Sequence, residues 1–326
     1  MSVQCATFTG ADGFVRQVVT NAVMQVTYVP QLGGKISQIT DRRSGRNWLW
    51  RHPRMPYQFN DPHASYVAVA DSGGWDECFP TVGKCTYPTA PWQGVALADH
   101  GELWSQVPES QLTQTTDGVQ IQTQWRGVAL PYTFARTIHI GADAAITIDY
   151  QVHNTGAAPI QWIWCAHPLF AIAPGMVLET PAGTRFFRLA SDKQLIVESP
   201  HAIQASATQT LDLRYLPLIN AGFGVKLYSE TLPQGAVTLR AHDGEIGMTW
   251  DVAEVPQLAI WLNAGAWSAD NGQPYYNMGI EPAIGVYDRL DEAIAHTTSY
   301  AQLAPGQRRC WRLGITLRVD AHRRMR

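Results

Sequence analysis

Three residues stand where proton chemistry is possible: Glu281, His167 and His100. Glu281 lies between Ile280 and Pro282 in an apolar run. A carboxylate buried there without a partner is costly, so it is expected to be paired or to work. His167 follows the apolar run Trp164-Cys165-Ala166 and precedes Pro168, while His100 sits in the turn Asp99-His100-Gly101. A carboxylate and an imidazole exchange protons near neutral pH when burial draws their pKa values into the working range. The plainer roles are a core histidine at 167 and a turn histidine at 100. Two histidines and a carboxylate also suit a facial metal site with open positions, although the clustered ligand spacing of many metal sites is absent.

Asp76 and Glu77 follow Trp75 and form a second acidic feature. A flat aromatic face suits the C–H face of a sugar ring, and carboxylates at its rim would take the hydroxyls. A core tryptophan and a solvated acidic loop are the plainer readings. Asn277 and Tyr276 lie just before Glu281 and are expected at the same cleft, with Arg185 as a further candidate.

The elements that must position these residues read as strands. Val119 to Trp125, Tyr132 to Ile140 and Ala145 to Val152 alternate apolar and polar residues with period two, the mark of half-buried antiparallel strands. Similar runs at Phe14–Thr20, Ala22–Val29, Lys35–Thr40, Ile160–Cys165, Phe223–Ser229, Ala236–Ala241, Ile246–Asp251, Leu258–Asn263, Thr297–Leu303 and Arg309–Val319 extend the pattern. Turn signals such as Thr116-Asp-Gly, His242-Asp-Gly and Pro305-Gly separate them. Only Ser191–Val197 and Leu290–Ala295 suggest short helical turns. No repeat or linker divides the chain, so residues 1–326 are expected to form a single all-β domain, a large antiparallel sandwich. The aromatic, Pro- and Gly-rich stretch from Asn47 to Pro91 reads as a long loop folded over a site.

Composition narrows the function classes. With 24 basic and 27 acidic residues the net charge is −3, which offers no broad field for nucleic acid or an anionic membrane. The one basic cluster is the tail from Arg318 to Arg326, read as a solvated end. The longest uncharged stretch, Asn154 to Leu178, holds three prolines, Gln161 and His167, which argues against a membrane helix. The first ten residues carry no signal-peptide pattern. Five cysteines without a C-x-x-C pair fit reduced thiols in a cytoplasm. Twelve tryptophans and twelve tyrosines fit a large β core with aromatic binding surfaces.

Four motifs occur in order: Gly73-Gly74 with Phe79-Pro80, then Asp99-His100-Gly101, then His167-Pro168-Leu169-Phe170, then Glu281-Pro282. Together they resemble the aldose 1-epimerase (galactose mutarotase-like) family, including its hexose-phosphate epimerase-like branch. The resemblance spans roughly residues 20 to 318. It implies a β-supersandwich whose concave face binds a pyranose and interconverts its anomers. In that reading Glu281 is the general base on the anomeric hydroxyl, His167 the general acid on the ring oxygen, and His100 the group that holds or polarises that oxygen. No cofactor and no metal is implied, since neither redox chemistry nor group transfer occurs; the partner is a small-molecule sugar. The phosphate branch carries Arg near its His-Gly motif, where this chain has Glu102 and Trp104. Glu102 would repel a phosphate, so the expected substrate is an unphosphorylated aldose. Lys84 loosely matches the family's sugar-binding Arg, and Trp75, Asp76, Glu77, Glu102 and Asn277 complete the expected binding set. The family's second-half sugar-binding Asp has only Asp243 and Asp251 as candidates. A non-catalytic sugar-binding protein on the same fold, and a two-His-one-carboxylate metalloenzyme, are the alternatives.

Overall fold

A computed structural model describes residues 3–59, 61–189, 195–198, 202–206, 209–268 and 272–319. Two antiparallel sheets dominate it. The larger has eleven strands among the described residues. They run in the order Gln4–Thr9, Val15–Thr20, Met24–Val29, Lys35–Asp41, Gly74–Cys78, Trp164–Phe170, Tyr276–Ile284, Gln257–Ala264, Phe223–Ser229, Phe186–Leu189 and Leu195–Glu198. The smaller has eight, in the order Val177–Glu179, Gly235–Ala241, Gly244–Trp250, Arg308–Arg318, Ala145–Asn154, Tyr132–Ile140, Val119–Arg126 and Glu109–Gln114.

Alternation built the smaller sheet as expected. Along Tyr132–Ile140 every second side chain is buried, and Ile138 pairs with both Ile148 and Ile121. Its inner face meets the larger sheet in one connected apolar core that includes Phe134, Trp125, Tyr150, Trp311, Trp162 and Phe79. Aligned inner faces of two sheets are the usual way such strands bury their apolar side.

The middle of the larger sheet differs. Gly74–Cys78, Trp164–Phe170 and Tyr276–Ile284 are buried at every position. One face lies on the core, and the other carries an overlay of loops. Asn47 to Pro91 was expected to be irregular throughout; it contributes the strand Gly74–Cys78 and the short helix Tyr66–Val69 to this arrangement. The helix expected near Leu290 spans Leu290–His296. Ser191–Val197 gives no described helix, since Leu195–Glu198 is a strand paired with Phe186–Leu189 and residues 191–194 lie outside the described residues. The basic tail falls outside them from residue 320 onward. No described helix is long and apolar enough to cross a membrane.

Candidate active site

The register of the central strands assembles the site. Trp164–Phe170 pairs with Tyr276–Ile284 through Cys165 with Ala283 and Leu169 with Gly279. These pairs keep one register and set His167 across from Glu281. His167 Nε2 stands 3.9 Å from Glu281 Oε1. Gly279 makes the room: a Cβ there would lie 2.5 Å from Glu281 Oε1. Two strands along, Lys226 on Phe223–Ser229 puts its ammonium 2.5 Å from Glu281 Oε2 and 3.7 Å from Asp288 Oδ1.

His100 arrives from a loop clamped to the sheet. The His100 amide donates to the Val82 carbonyl at 2.5 Å, and the Glu102 amide donates to the Phe79 carbonyl at 3.0 Å. Gly101 forms a bridge with Phe79, where a Cβ would come 2.1 Å from the Phe79 oxygen, and it takes a left-handed φ of 71°. So the Phe79-Pro80 and Asp99-His100-Gly101 motifs are two halves of one structure. His100 itself is left-handed, with φ 58°. Such a backbone in a non-glycine residue is uncommon and persists where its surroundings hold it. Its Nδ1 is 2.9 Å from Asp99 Oδ1, and Tyr66 stacks on its ring at 4.2 Å. The rings of His100 and His167 are 5.1 Å apart and nearly perpendicular.

These groups line one cleft of about 270 Å³, together with Asp71, Asp99, Asp288, Trp261 and Trp267. Ligand pockets commonly occupy about 300–1,000 Å³, so this one is of monosaccharide rather than oligosaccharide size. A larger open trough of about 870 Å³ lies along strands of the smaller sheet, among Asp149, Gln151, Thr249 and Arg312. It gathers no comparable set of buried titratable groups.

Burial, with His100, Lys226 and Lys35 nearby, holds the His167 imidazole well below its usual pKa, so it is neutral at physiological pH. Burial would push the Lys226 ammonium down as well, but Glu281 and Asp288 outweigh it and hold the group well above its usual range. Burial opposes ionisation of Asp99 too, yet His100 and Ser65 bind its carboxylate and keep it below the usual value. Asp71 has weaker support. Burial drives it up to about 6, against the pull of His100 and Lys35. Its Oδ2 accepts the Tyr275 hydroxyl at 3.2 Å, and its Oδ1 has no partner.

Of the sequence-derived candidates, His100, His167 and Glu281 converge. The binding candidates do not line this cleft. Trp75 and Glu77 share a face of their strand and point into the core, because side chains two apart lie on one side. Trp75 is fully buried there, and Glu77 binds Arg136 at 2.9 Å, the Tyr150 hydroxyl at 3.0 Å and the Trp164 indole at 3.0 Å. Asp76 faces the other way but is taken up by Lys35 and by the Tyr66 hydroxyl at 2.7 Å. It supports the ring that stacks on His100. Glu102 accepts the Val128 and Ala129 amides at 3.0 Å each and the Tyr132 hydroxyl at 2.5 Å. Both Glu102 and Lys84 border a separate hollow. Asn277 shares a face with Glu281 but lies four residues, ~13 Å, along the strand, buried opposite Asn263. Arg185 is exposed beside Glu230, Asp243 binds Arg46 at 2.7 Å, and Asp251 borders the outer trough.

Lys226, Asp71, Asp288, Trp261 and Trp267 were not anticipated. Trp261 and Trp267, half-buried and 6.2 Å apart at 87°, supply the aromatic corner that Trp75 does not. Lys226 occupies the polar position of an alternating strand, a pattern that ordinarily marks a solvated face, so the sequence carried no signal for it.

The architecture is that of a known fold class. A galactose mutarotase-like protein from Clostridium acetobutylicum superposes with a TM-score of 0.68 at 11% identity, covering 98% of this chain and 99% of that one. A galactose mutarotase related enzyme from Lactobacillus acidophilus gives 0.64 at 15% identity over 94% and 99%. The Slr1438 protein of Synechocystis gives 0.66 at 15% identity over 97% and 96%. No protein-family model matches the chain, and no curated protein matches it. The chain therefore has the galactose mutarotase-like fold; likeness at such identity speaks to fold, not to reaction.

Proposed function

We propose that this protein is a cytoplasmic aldose 1-epimerase that interconverts the anomers of an unphosphorylated aldose, its residues 1–326 acting as one sugar-binding catalytic domain. The observation that carries the reading is the meeting of Glu281, His167 and His100 at one monosaccharide-sized cleft, from stretches far apart in sequence. The galactose mutarotase-like fold supports it.

Ring opening needs an acceptor for the anomeric hydroxyl proton and a donor to the ring oxygen. Glu281 is the acceptor. Glu281 Oε1 and His167 Nε2 are 3.9 Å apart, so one hydroxyl oxygen set to the side of the pair can reach both at hydrogen-bond distance. His167 being neutral revises its expected part: a neutral imidazole that gave up its proton would become an imidazolate. It instead donates a hydrogen bond to the oxygen as charge develops there. The proton for the ring oxygen comes from His100 acting as an imidazolium: Nδ1–H stays on Asp99, Nε2 gives its proton to the ring oxygen, and the ring is left as a neutral imidazole. The C1–O5 bond breaks, the aldehyde turns about C1–C2, and closure on the other face returns both protons by the reverse steps. Trp261 and Trp267 hold the apolar ring face. Anionic sugars are disfavoured, since Asp71, Asp99, Glu281 and Asp288 face the cleft and Lys226 is already engaged.

A facial metal site is less well supported. Among the described residues no three His, Cys, Asp or Glu side chains form a ligand group, and the Lys226 ammonium already occupies one oxygen of Glu281. Exchange spectroscopy on an equilibrated aldose tests the proposal: the protein should raise the anomer interconversion rate in proportion to its concentration. Binding of the sugar with an unchanged rate would overturn it in favour of a non-catalytic sugar-binding protein.

A further inference from the structure

The charges around the cleft are unevenly answered. Asp99 is matched by His100, and Glu281 by Lys226. Asp71 is only 6% exposed, yet its one partner is a neutral phenol, that of Tyr275. Its second oxygen has none. Lys35, whose charge also acts on it, is committed to Asp76 and to the Gly73 carbonyl. A carboxylate removed from water without a cation in contact is costly to keep. Asp71 lies in the segment between the helix Tyr66–Val69 and the strand Gly74–Cys78, where an Asn or Ser would satisfy the same phenol. The feature that makes sense of it is the cleft it borders.

Resting on the epimerase reading, we infer that Asp71 is an ammonium subsite and that the preferred substrate is an amino-substituted aldose carrying its charge at that end of the cleft. A sugar hydroxyl would fill the vacant acceptor position but bring no cation into contact with the carboxylate. An ammonium group does both, and a charge-assisted bond is roughly twice as strong as a neutral one. The surroundings agree with a cation. Asp288 borders the same cleft, His100 draws on Asp71 only through space because its hydrogen bond goes to Asp99, and the ammonium that lines the cleft is held by two carboxylates. The same reasoning makes a sugar carboxylate or phosphate the worst ligand. N-acetylation, which removes the charge and adds bulk, should abolish the preference.

Titration calorimetry of the full chain with 2-amino-2-deoxyglucose and 6-amino-6-deoxyglucose, their N-acetyl forms, glucose and glucuronate tests this. One of the two amines is expected to bind about tenfold or more tightly than both its N-acetyl form and glucose, with glucuronate weakest. Asp71→Asn should bring the amine-to-glucose ratio to within about threefold. Asp71→Ser, which keeps a polar group but no carboxylate, provides the same comparison should the Asn variant fold poorly. Equal affinity for amine and neutral sugar, or a preference that survives both substitutions, overturns the inference. Anomer exchange measured on the same sugars separates the two readings. Tight amine binding without exchange sinks the epimerase and leaves the subsite; exchange of all neutral and cationic sugars alike does the reverse.

Discussion

The ammonium of Lys226 and the carboxylate of Glu281 are in contact at 2.5 Å, with the carboxylate side chain fully buried. Each is the other's chief compensation, on strands separated by the one that carries Trp261. Replacing Lys226 by Met should therefore strand a buried charge and cost about 3–5 kcal/mol of stability. Adding Glu281→Gln should recover much of that loss. Denaturant unfolding of the two single variants and the double variant measures the coupling, and additive losses would mean the pair is not energetically linked.

Glu281→Gln alone removes the proton acceptor and keeps the shape. The exchange rate should fall by about 10²–10⁴-fold while sugar affinity changes little. Turnover retained in this variant would take Glu281 out of the mechanism.

His167 should leave a pH signature in the stability of the protein. Because burial lowers the folded-state value of His167, the unfolded chain binds the extra proton first. Its contribution to stability is therefore whole above about pH 6.5 and drains away as the pH falls below that. His167→Asn should flatten this part of the stability curve between pH 6.5 and 5. Imidazole resonances followed by NMR should show a ring at position 167 still neutral at pH 6; a protonated ring there would return the acid role to it.

Asp71 carries the opposite sign. Its folded-state value is pushed up to about 6 from an ordinary 3.8, so it favours folding below about pH 4 and loses that advantage as the pH rises through 6. Asp71→Asn should then leave stability unchanged at pH 4 and raise it at pH 7.5, by up to about 3 kcal/mol. Melting temperatures at the two pH values decide it, and a variant less stable at pH 7.5 would show that the carboxylate has a structural partner after all.

Trp261→Ala and Trp267→Ala should weaken sugar binding by about 0.5–1.5 kcal/mol each, roughly 2–10-fold, and leave the rate at saturating sugar nearly intact. Trp75→Ala, by contrast, should unfold the core rather than alter affinity. A KM unchanged in both cleft variants would deny these rings a role in holding the substrate.

The three residues that meet at the cleft were legible in the sequence, and the rest of its lining was not. Glu281 and His167 stand out because polar groups in apolar runs demand a reason, and the register then placed them opposite one another. The strands that carry them were read poorly for the same physical cause. Period-two alternation presupposes a wet face, and Trp164–Phe170 and Tyr276–Ile284 have none. Pro168 and Pro282 further disguised them as loops. Trp75 and Glu77 misled because a Trp-Asp-Glu run looks like a sugar platform until one knows which side of the strand faces the core. Lys226 and Asp71 were invisible, since their meaning comes only from neighbours brought close by folding.

The clamp between residues 79–82 and 100–102 has a bearing on how this scaffold could diversify. The chain leaves and rejoins the sheet at the same place, so residues 84–98 form an excursion tethered at its root by Gly101 and the Val82 carbonyl. Cys85, Tyr87 and Leu97 anchor the excursion in the core, so changes confined to its exposed tip around Pro91 and Gly94 leave His100 where it is. New surface elements can be tried there without touching the residues that line the cleft.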